Sequence, residues 1–156
     1  MDLKGRRGAA DVLVHGTRST ADMKRILIID DSEAVRRQVA QTLGPAGYDV
    51  VEAADGMEGI SVIKSAGPAL VLCDLNMPRM GGMEMLAELA RTPPLPLMVM
   101  LTTEAQPALI RRARELGAVG WIVKPFKADL LIAAVNKLTA NIAAAPAPAA
   151  PAAPAA

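Results

Sequence analysis

One cysteine, one histidine, three aromatic rings and no long apolar run are what this 156-residue chain offers where many proteins keep reactive thiols, metal ligands and membrane anchors. A lone Cys73 cannot close an internal disulfide, and His15 stands outside any Cys/His cluster, so neither a disulfide framework nor a zinc site is available. The chain therefore suits a reducing compartment. Its apolar runs are strand-sized, far short of the roughly 20 residues that span a bilayer, and its charged N-terminus lacks the apolar stretch of a signal peptide. A soluble cytoplasmic protein without membrane insertion is expected. The net charge of +1 argues against a large nucleic-acid footprint. That balance is uneven. Residues 1–25 carry six Lys/Arg against three Asp, and residues 26–156 carry 11 Lys/Arg against 13 Asp/Glu, so the folding part is slightly acidic.

What is present is a regular alternation. The length accommodates one domain plus tails, with a core large enough for a sheet covered on both faces. Residues 1–22 show no period and read as a disordered extension whose Lys4–Arg7 cluster is a solvated feature, with Met23 an alternative start. Residues 141–156 are an Ala/Pro-rich flexible tail or the stump of an interdomain linker. Between them, in the domain at 23–140, Arg25–Ile29, Asp49–Val51, Ala69–Cys73, Leu97–Leu101 and Gly120–Val123 read as strands. An amphipathic stretch follows each, at 32–44, 55–65, 82–91, 104–116 and 127–139. This alternation implies parallel βαβ units in a doubly wound α/β fold with a five-stranded parallel sheet. Asp55 and Glu58 fit an acidic capping box, and Gly44, Gly67 and Gly117 fall where helices end. Pro107 conflicts with a helix start at 104, because proline is tolerated only in a first turn.

In such a sheet, ligands bind beyond the carboxyl ends of the strands. The first strand ends in Asp30 and Asp31, the third in Asp74, the fourth in Thr102, and the fifth in Lys124 followed by Pro125. Three carboxylates drawn together repel one another and are costly without a cation among them, and an all-oxygen donor set suits Mg2+ or Mn2+. A carboxylate is also a nucleophile toward phosphorus, while a metal, an ammonium and a hydroxyl neutralise charge on the transferring group. Each residue alone has a plainer reading. An Asp after a strand usually caps the next helix, Cys73 reads as a small buried hydrophobe, and the methionines at 77, 80, 83, 85, 98 and 100 read as core and loop filler. The combination is what points to phosphoryl chemistry.

The segments IIDDSEAVRR, LCDLNMPRMGG, LTTEA and GWIVKPF, in that order and spacing, resemble receiver domains of the response-regulator family, above all those of chemotaxis regulators, over Lys24 to about Leu138. The resemblance implies a flavodoxin-like strand order 2-1-3-4-5 and a two-component role in which a histidine kinase donates a phosphoryl group. It implies Asp74 as phosphoacceptor, Asp31 as a direct metal ligand, Asp30 as a second acid acting through water, and Asn76 as donor of a backbone carbonyl to the metal. Thr102 would hydrogen-bond a phosphoryl oxygen, Lys124 would pair with the phosphoryl group from a cis Lys124–Pro125 bond, and Gly82 matches a turn glycine. Asn76 and Glu104, two residues beyond Asp74 and Thr102, would set how fast water removes the group. One position departs from the family: Trp121 stands where Tyr or Phe is usual, at the ring that changes rotamer as Thr102 moves. Ile110 and Val123 would flank the partner face made by the fourth helix, fifth strand and fifth helix.

On this reading the chain catalyses only its own phosphorylation and dephosphorylation and acts by binding. The expected partner is a flagellar motor switch or chemotaxis component rather than nucleic acid, since no helix-turn-helix pattern is present. A receiver cut from a longer regulator is the alternative. A haloacid-dehalogenase-like phosphatase would need an acid where Asn76 stands. A flavin carrier would need a hydroxyl-rich glycine loop after the first strand.

Overall fold

The computed structural model describes residues 23–140 and Ile142. The expected extension at 1–22 lies outside the described residues, as does the expected tail at 141–156 apart from Ile142. Five strands, β1 (Arg25–Ile29), β2 (Asp49–Ala53), β3 (Leu70–Cys73), β4 (Leu97–Thr102) and β5 (Gly120–Val123), alternate with five helices. These are α1 (Glu33–Leu43), α2 (Gly56–Ala66), α3 (Gly82–Ala90), α4 (Pro107–Glu115) and α5 (Ala128–Thr139). All pairings are parallel and the strand order is β2-β1-β3-β4-β5, as the resemblance implies. The winding therefore reverses between β1 and β3, where doubly wound sheets open a crevice for ligands.

Side chains alternate along each strand, so the sheet divides the core in two. Leu27, Ile29, Val71, Cys73, Met98 and Met100 pack with Met85, Leu86 and Leu89 of α3 and Ala113 of α4. Ile26, Ile28, Leu70, Leu72, Val99 and Leu101 pack with Val39 and Leu43 of α1 and Leu131 and Val135 of α5. Burial on both faces is why β1, β3 and β4 read as unbroken apolar runs. Each fully buried aliphatic side chain contributes about 1.5–3 kcal/mol, which makes these runs the main source of stability.

Helix starts follow local chemistry. Ser32 Oγ accepts the Val35 N–H at 3.2 Å, and Asp55 Oδ1 accepts the Glu58 N–H at 3.0 Å. Glu58 returns a bond to the amide of Ala54 rather than that of Asp55, so the expected box is shifted by one residue. Two boundaries differ from the sequence reading by more than a residue. β2 runs on to Ala53 because an edge strand tolerates the exposed Glu52, which interrupts its apolar run while the pairing of Ile28 with Glu52 and Ile29 with Ala53 continues. α4 starts at Pro107, not 104, with proline in the first helical position where its missing N–H costs nothing. Residues 103–106 are thereby freed as a loop beside the site. Among the described residues, no helix is long and apolar enough to cross a membrane.

Candidate functional site

The carboxyl ends of β1 and β3 bring Asp30, Asp31 and Asp74 together, with one carboxylate oxygen of each within 4.8 Å of the others. Asp30 and Asp74 are buried, at 1% and 8% exposed, whereas Asp31 faces solvent. Buried carboxylates survive only with partners. Asp30 Oδ1 accepts the Ser32 N–H at 2.9 Å, and its Oδ2 accepts from Lys124 Nζ at 2.9 Å. Asp74 Oδ1 accepts the N–H of Leu75 at 2.7 Å, and its Oδ2 lies 3.4 Å from the same Lys124 Nζ. Lys124 thus reaches in from the end of β5, and its bond to Pro125 is cis as expected.

Burial raises the pKa of Asp74 above the ordinary carboxylate value, and the neighbouring charge of Asp30 adds to the rise. Lys124, the Leu75 N–H and the Thr102 hydroxyl oppose it without cancelling it. For Lys124, burial disfavours the ammonium, but Asp30 and Asp74 outweigh that and raise its pKa, so it stays charged. Among the described residues, one ammonium thus lies against a cluster of three carboxylates, paired with Asp30 and Asp74. Their all-oxygen donor set fits a hard divalent cation, which would relieve the remaining repulsion, and exposed Asp31 leaves a path from solvent.

This charge imbalance has a thermal signature. With a native pKa above its unfolded value near 3.9, Asp74 holds, between those two values, a proton in the folded chain that the unfolded chain has lost. Its presence therefore makes stability fall as pH rises from about 4 through the native pKa. Asp74→Asn removes that dependence. Without divalent cation it is expected to melt a few degrees above wild type at neutral pH and to lose the advantage near pH 4, where thermal scans of both proteins should coincide.

A second group of residues lies beside the acids. Thr102 is fully buried at the end of β4, and its hydroxyl accepts the Glu104 N–H at 3.2 Å. The Glu104 carbonyl in turn accepts the indole N–H of Trp121 at 2.9 Å. The backbone of one residue, Glu104, thus links the hydroxyl beside Asp74 to the only tryptophan. The Asn76 side-chain amide donates to Glu104 Oε2 at 3.4 Å, on the wall of a groove of about 570 Å³ that also touches Met77, Met83 and Leu109. Gly82, the expected turn glycine, begins α3 so close to the end of β3 that a Cβ there would sit 2.3 Å from the Asp74 carbonyl oxygen. Ile110 and Trp121 line one hollow at the β5 edge, and Trp121 and exposed Val123 line another with Phe126 and Leu130. Trp121 thus borders both hollows, with Ile110 on one and Val123 on the other.

Cys73 is buried, and its thiol pKa is pushed up by burial and then by Asp74, in keeping with a packing role. Met85, Met98 and Met100 are fully buried, and Met77, Met80 and Met83 pack partly buried against the same core. Sequence reasoning missed the main-chain donors of Ser32 and Leu75, the link through the Glu104 backbone, and Arg36, whose guanidinium donates to the Asp30 carbonyl at 2.7 Å. Only the Ser32 amide had a signal, since an Asp at a strand end commonly bonds the amide two residues on.

Residues 26–136 match the response regulator receiver domain family. The chain belongs to that family. This receiver is 38% identical over 114 residues to the transcriptional regulatory protein PdtaR of Mycobacterium tuberculosis, covering 72% of this chain but 55% of that protein. The chain thus spans about half the length of that relative. It is 32% identical over 117 residues to the chemotaxis protein CheY of Thermotoga maritima, covering 74% of this chain and 98% of that one. Among solved structures, the chemotaxis protein CheY4 of Vibrio cholerae superposes with a TM-score of 0.70 at 35% identity, covering 74% of this chain and 98% of that chain.

Proposed function

We propose that this receiver switches partner binding by carrying a phosphoryl group on Asp74, donated by a histidine kinase in the cytoplasm. Mg2+ or Mn2+ would be held by Asp30, Asp31, Asp74 and the backbone carbonyl of Asn76. The observation that carries the reading is the placement of Lys124 Nζ, 2.9 Å from Asp30 and 3.4 Å from Asp74 at the mouth of the acid cluster. With Asp74 Oδ1 tied to Leu75, Oδ2 is the freer nucleophile. It attacks phosphorus as the phosphorus–nitrogen bond to the donor imidazole breaks, and the imidazole leaves with the electron pair. Lys124 then transfers its attention from the carboxylates to a phosphoryl oxygen, and the Thr102 hydroxyl donates to another. A bound divalent cation supplies further neutralisation of charge on the phosphoryl oxygens.

Resetting requires water. Asn76 and Glu104 meet across the groove wall beside Asp74, where polar side chains hold an attacking water in line. Asn76→Met combined with Glu104→Leu is expected to lengthen the life of the aspartyl phosphate on the order of tenfold. Decay of the phosphorylated species by intact mass checks this. An unchanged decay rate would remove both residues from the resetting step.

The route outward runs through Glu104. A phosphoryl oxygen that draws the Thr102 hydroxyl away from the Glu104 amide loosens the residue whose carbonyl holds Trp121, so the indole and its neighbours Ile110 and Val123 offer a different face to a partner. Beryllofluoride with Mg2+ is expected to shift indole emission in wild type and leave it unchanged in Thr102→Ala. Constant emission while the wild type binds a partner more tightly would make Trp121 a passive packing residue. A chemotaxis or motility output is supported by the resemblance to CheY over its whole length, and a flagellar motor switch or chemotaxis component is the partner that follows from it. The comparable identity to a transcriptional regulator makes genomic neighbours of the coding sequence the quickest discriminator.

A further inference from the structure

The loop from Leu75 to Gly81 carries Asn76 past the acid cluster, and it is fastened to an element that contributes no residue to that cluster. Arg79 reaches from this loop to the start of α2, where its Nε donates to Asp55 Oδ2 at 2.8 Å and its Nη2 donates to the same oxygen. Asp55 is 3% exposed while the Arg79 side chain is 68% exposed, so a buried anion is held by a cation that remains in solvent. The Glu58 N–H on Asp55 Oδ1, and then Arg79, keep this carboxyl below the usual carboxylate range. One residue further on, the Gly56 N–H donates to the Met80 carbonyl at 3.1 Å. A Cβ on Gly56 would lie 2.8 Å from that same oxygen. Two consecutive residues of the helix start therefore grip two consecutive residues of the loop.

Capping does not account for this. A helix cap needs the Asp55 oxygen that receives Glu58, not an arginine 24 residues away on the other oxygen. Nor does local preference account for Arg79, whose φ of 67° is in the left-handed region that residues with a Cβ avoid. The contact with Asp55 and the neighbouring Gly56–Met80 bond are the ties that meet the loop at this point. The loop is also tied at its start, through the Leu75 N–H on Asp74 Oδ1, and closed on itself by the Gly82 N–H on the Leu75 carbonyl at 2.9 Å, while the Asn76 side chain reaches Glu104. Asn76 lies between the two sets of ties.

We propose that Asp55 and Arg79 form a positioning pair that clamps the β3–α3 loop to α2, fixing the Asn76 backbone beside Asp74 and so strengthening divalent-cation binding without touching the cation. This rests on the acid cluster being a cation site, and extends the site's support to a helix outside it. The test titrates the full chain with Mg2+ by calorimetry, alongside hydrogen exchange of the Asn76 and Met77 amides. Arg79→Gly removes the guanidinium while accepting the positive φ. Asp55→Ser keeps a capping oxygen and removes the charge. Each single variant is expected to raise the Mg2+ dissociation constant about fivefold, and the double no further, because both break one contact. Arg79→Lys, which keeps charge but not the fork, should recover part of the affinity, and amide exchange at 76 and 77 should quicken in both singles. Single variants that bind Mg2+ as wild type does, even with lowered melting temperatures, would overturn the clamp. Losses that multiply in the double would overturn it too. A wild type that binds no Mg2+ would instead overturn the cation reading of the cluster, and the clamp's purpose with it.

Discussion

Replacing Lys124 with alanine is expected to slow phosphoryl uptake on the order of 100-fold while tightening the hold on a divalent cation. The opposite signs follow from the geometry. Lys124 Nζ sits 2.9 Å from Asp30 and 3.4 Å from Asp74, so it competes with a cation for the same oxygens in the resting chain. Once a phosphoryl group is in transfer, the same ammonium faces developing negative charge and lowers the barrier. Stability shows the competition as well. Asp30 is buried, and removing the partner of a buried charge costs about 3 kcal/mol, or on the order of 10 °C in melting temperature for a domain of this size. Since the native pKa of Lys124 is raised, its contribution is fully present below about pH 10 and fades only above it. In Lys124→Ala, Mg2+ should restore most of the lost stability by binding the folded state alone. Mg2+ titration, thermal scans with and without the ion, and phosphorylation rates at saturating Mg2+ separate these effects. A variant in which cation affinity falls together with the rate would show that Lys124 props the cluster up rather than competing within it.

The residues that the sequence made legible are those that terminate apolar runs. Asp30, Asp31 and Asp74 follow, and Thr102 ends, strands buried on both faces of the sheet, Lys124 follows the apolar but only half-buried edge strand β5, and in a parallel sheet all such ends point the same way. Periodicity supplied the parallel units, but the order β2-β1-β3-β4-β5 came from the resemblance, because alternation does not say which strands are neighbours. The boundaries that slipped have local causes. Glu52 hides the end of β2 because an edge strand does not need an unbroken apolar run, and the loop at 103–106 imitates a helix start until Pro107 fixes the first helical position.

What stayed hidden was held by groups without a sequence pattern. The Leu75 amide on Asp74 and the Glu104 backbone between Thr102 and Trp121 make main-chain contacts that any residue but proline could make. Asp55 was readable as a cap from its own helix, but its bond to Arg79 joins two loops 24 residues apart, a distance at which no helical or strand period operates.

The most direct test of the account concerns Asp74 itself. Its Oδ2 lies in the cluster opposite Lys124, whereas both oxygens of Asp30 are engaged by Ser32 and Lys124 and Asp31 is exposed to solvent. Only Asp74 therefore combines a freer oxygen with a buried, cation-facing setting. On the proposed function, with acetyl phosphate as donor that oxygen would attack phosphorus as the bond to the acetyl oxygen breaks and acetate leaves. Asn at this position has the shape but not the nucleophile, so the rate should fall at least about 1,000-fold. Intact-mass spectrometry of the chain incubated with acetyl phosphate and Mg2+, followed by peptide mapping, should find one phosphoryl group on Asp74 in wild type and none in Asp74→Asn. Uptake by Asp74→Asn at the wild-type rate, or a phosphoryl group mapped to another residue in wild type, would contradict it.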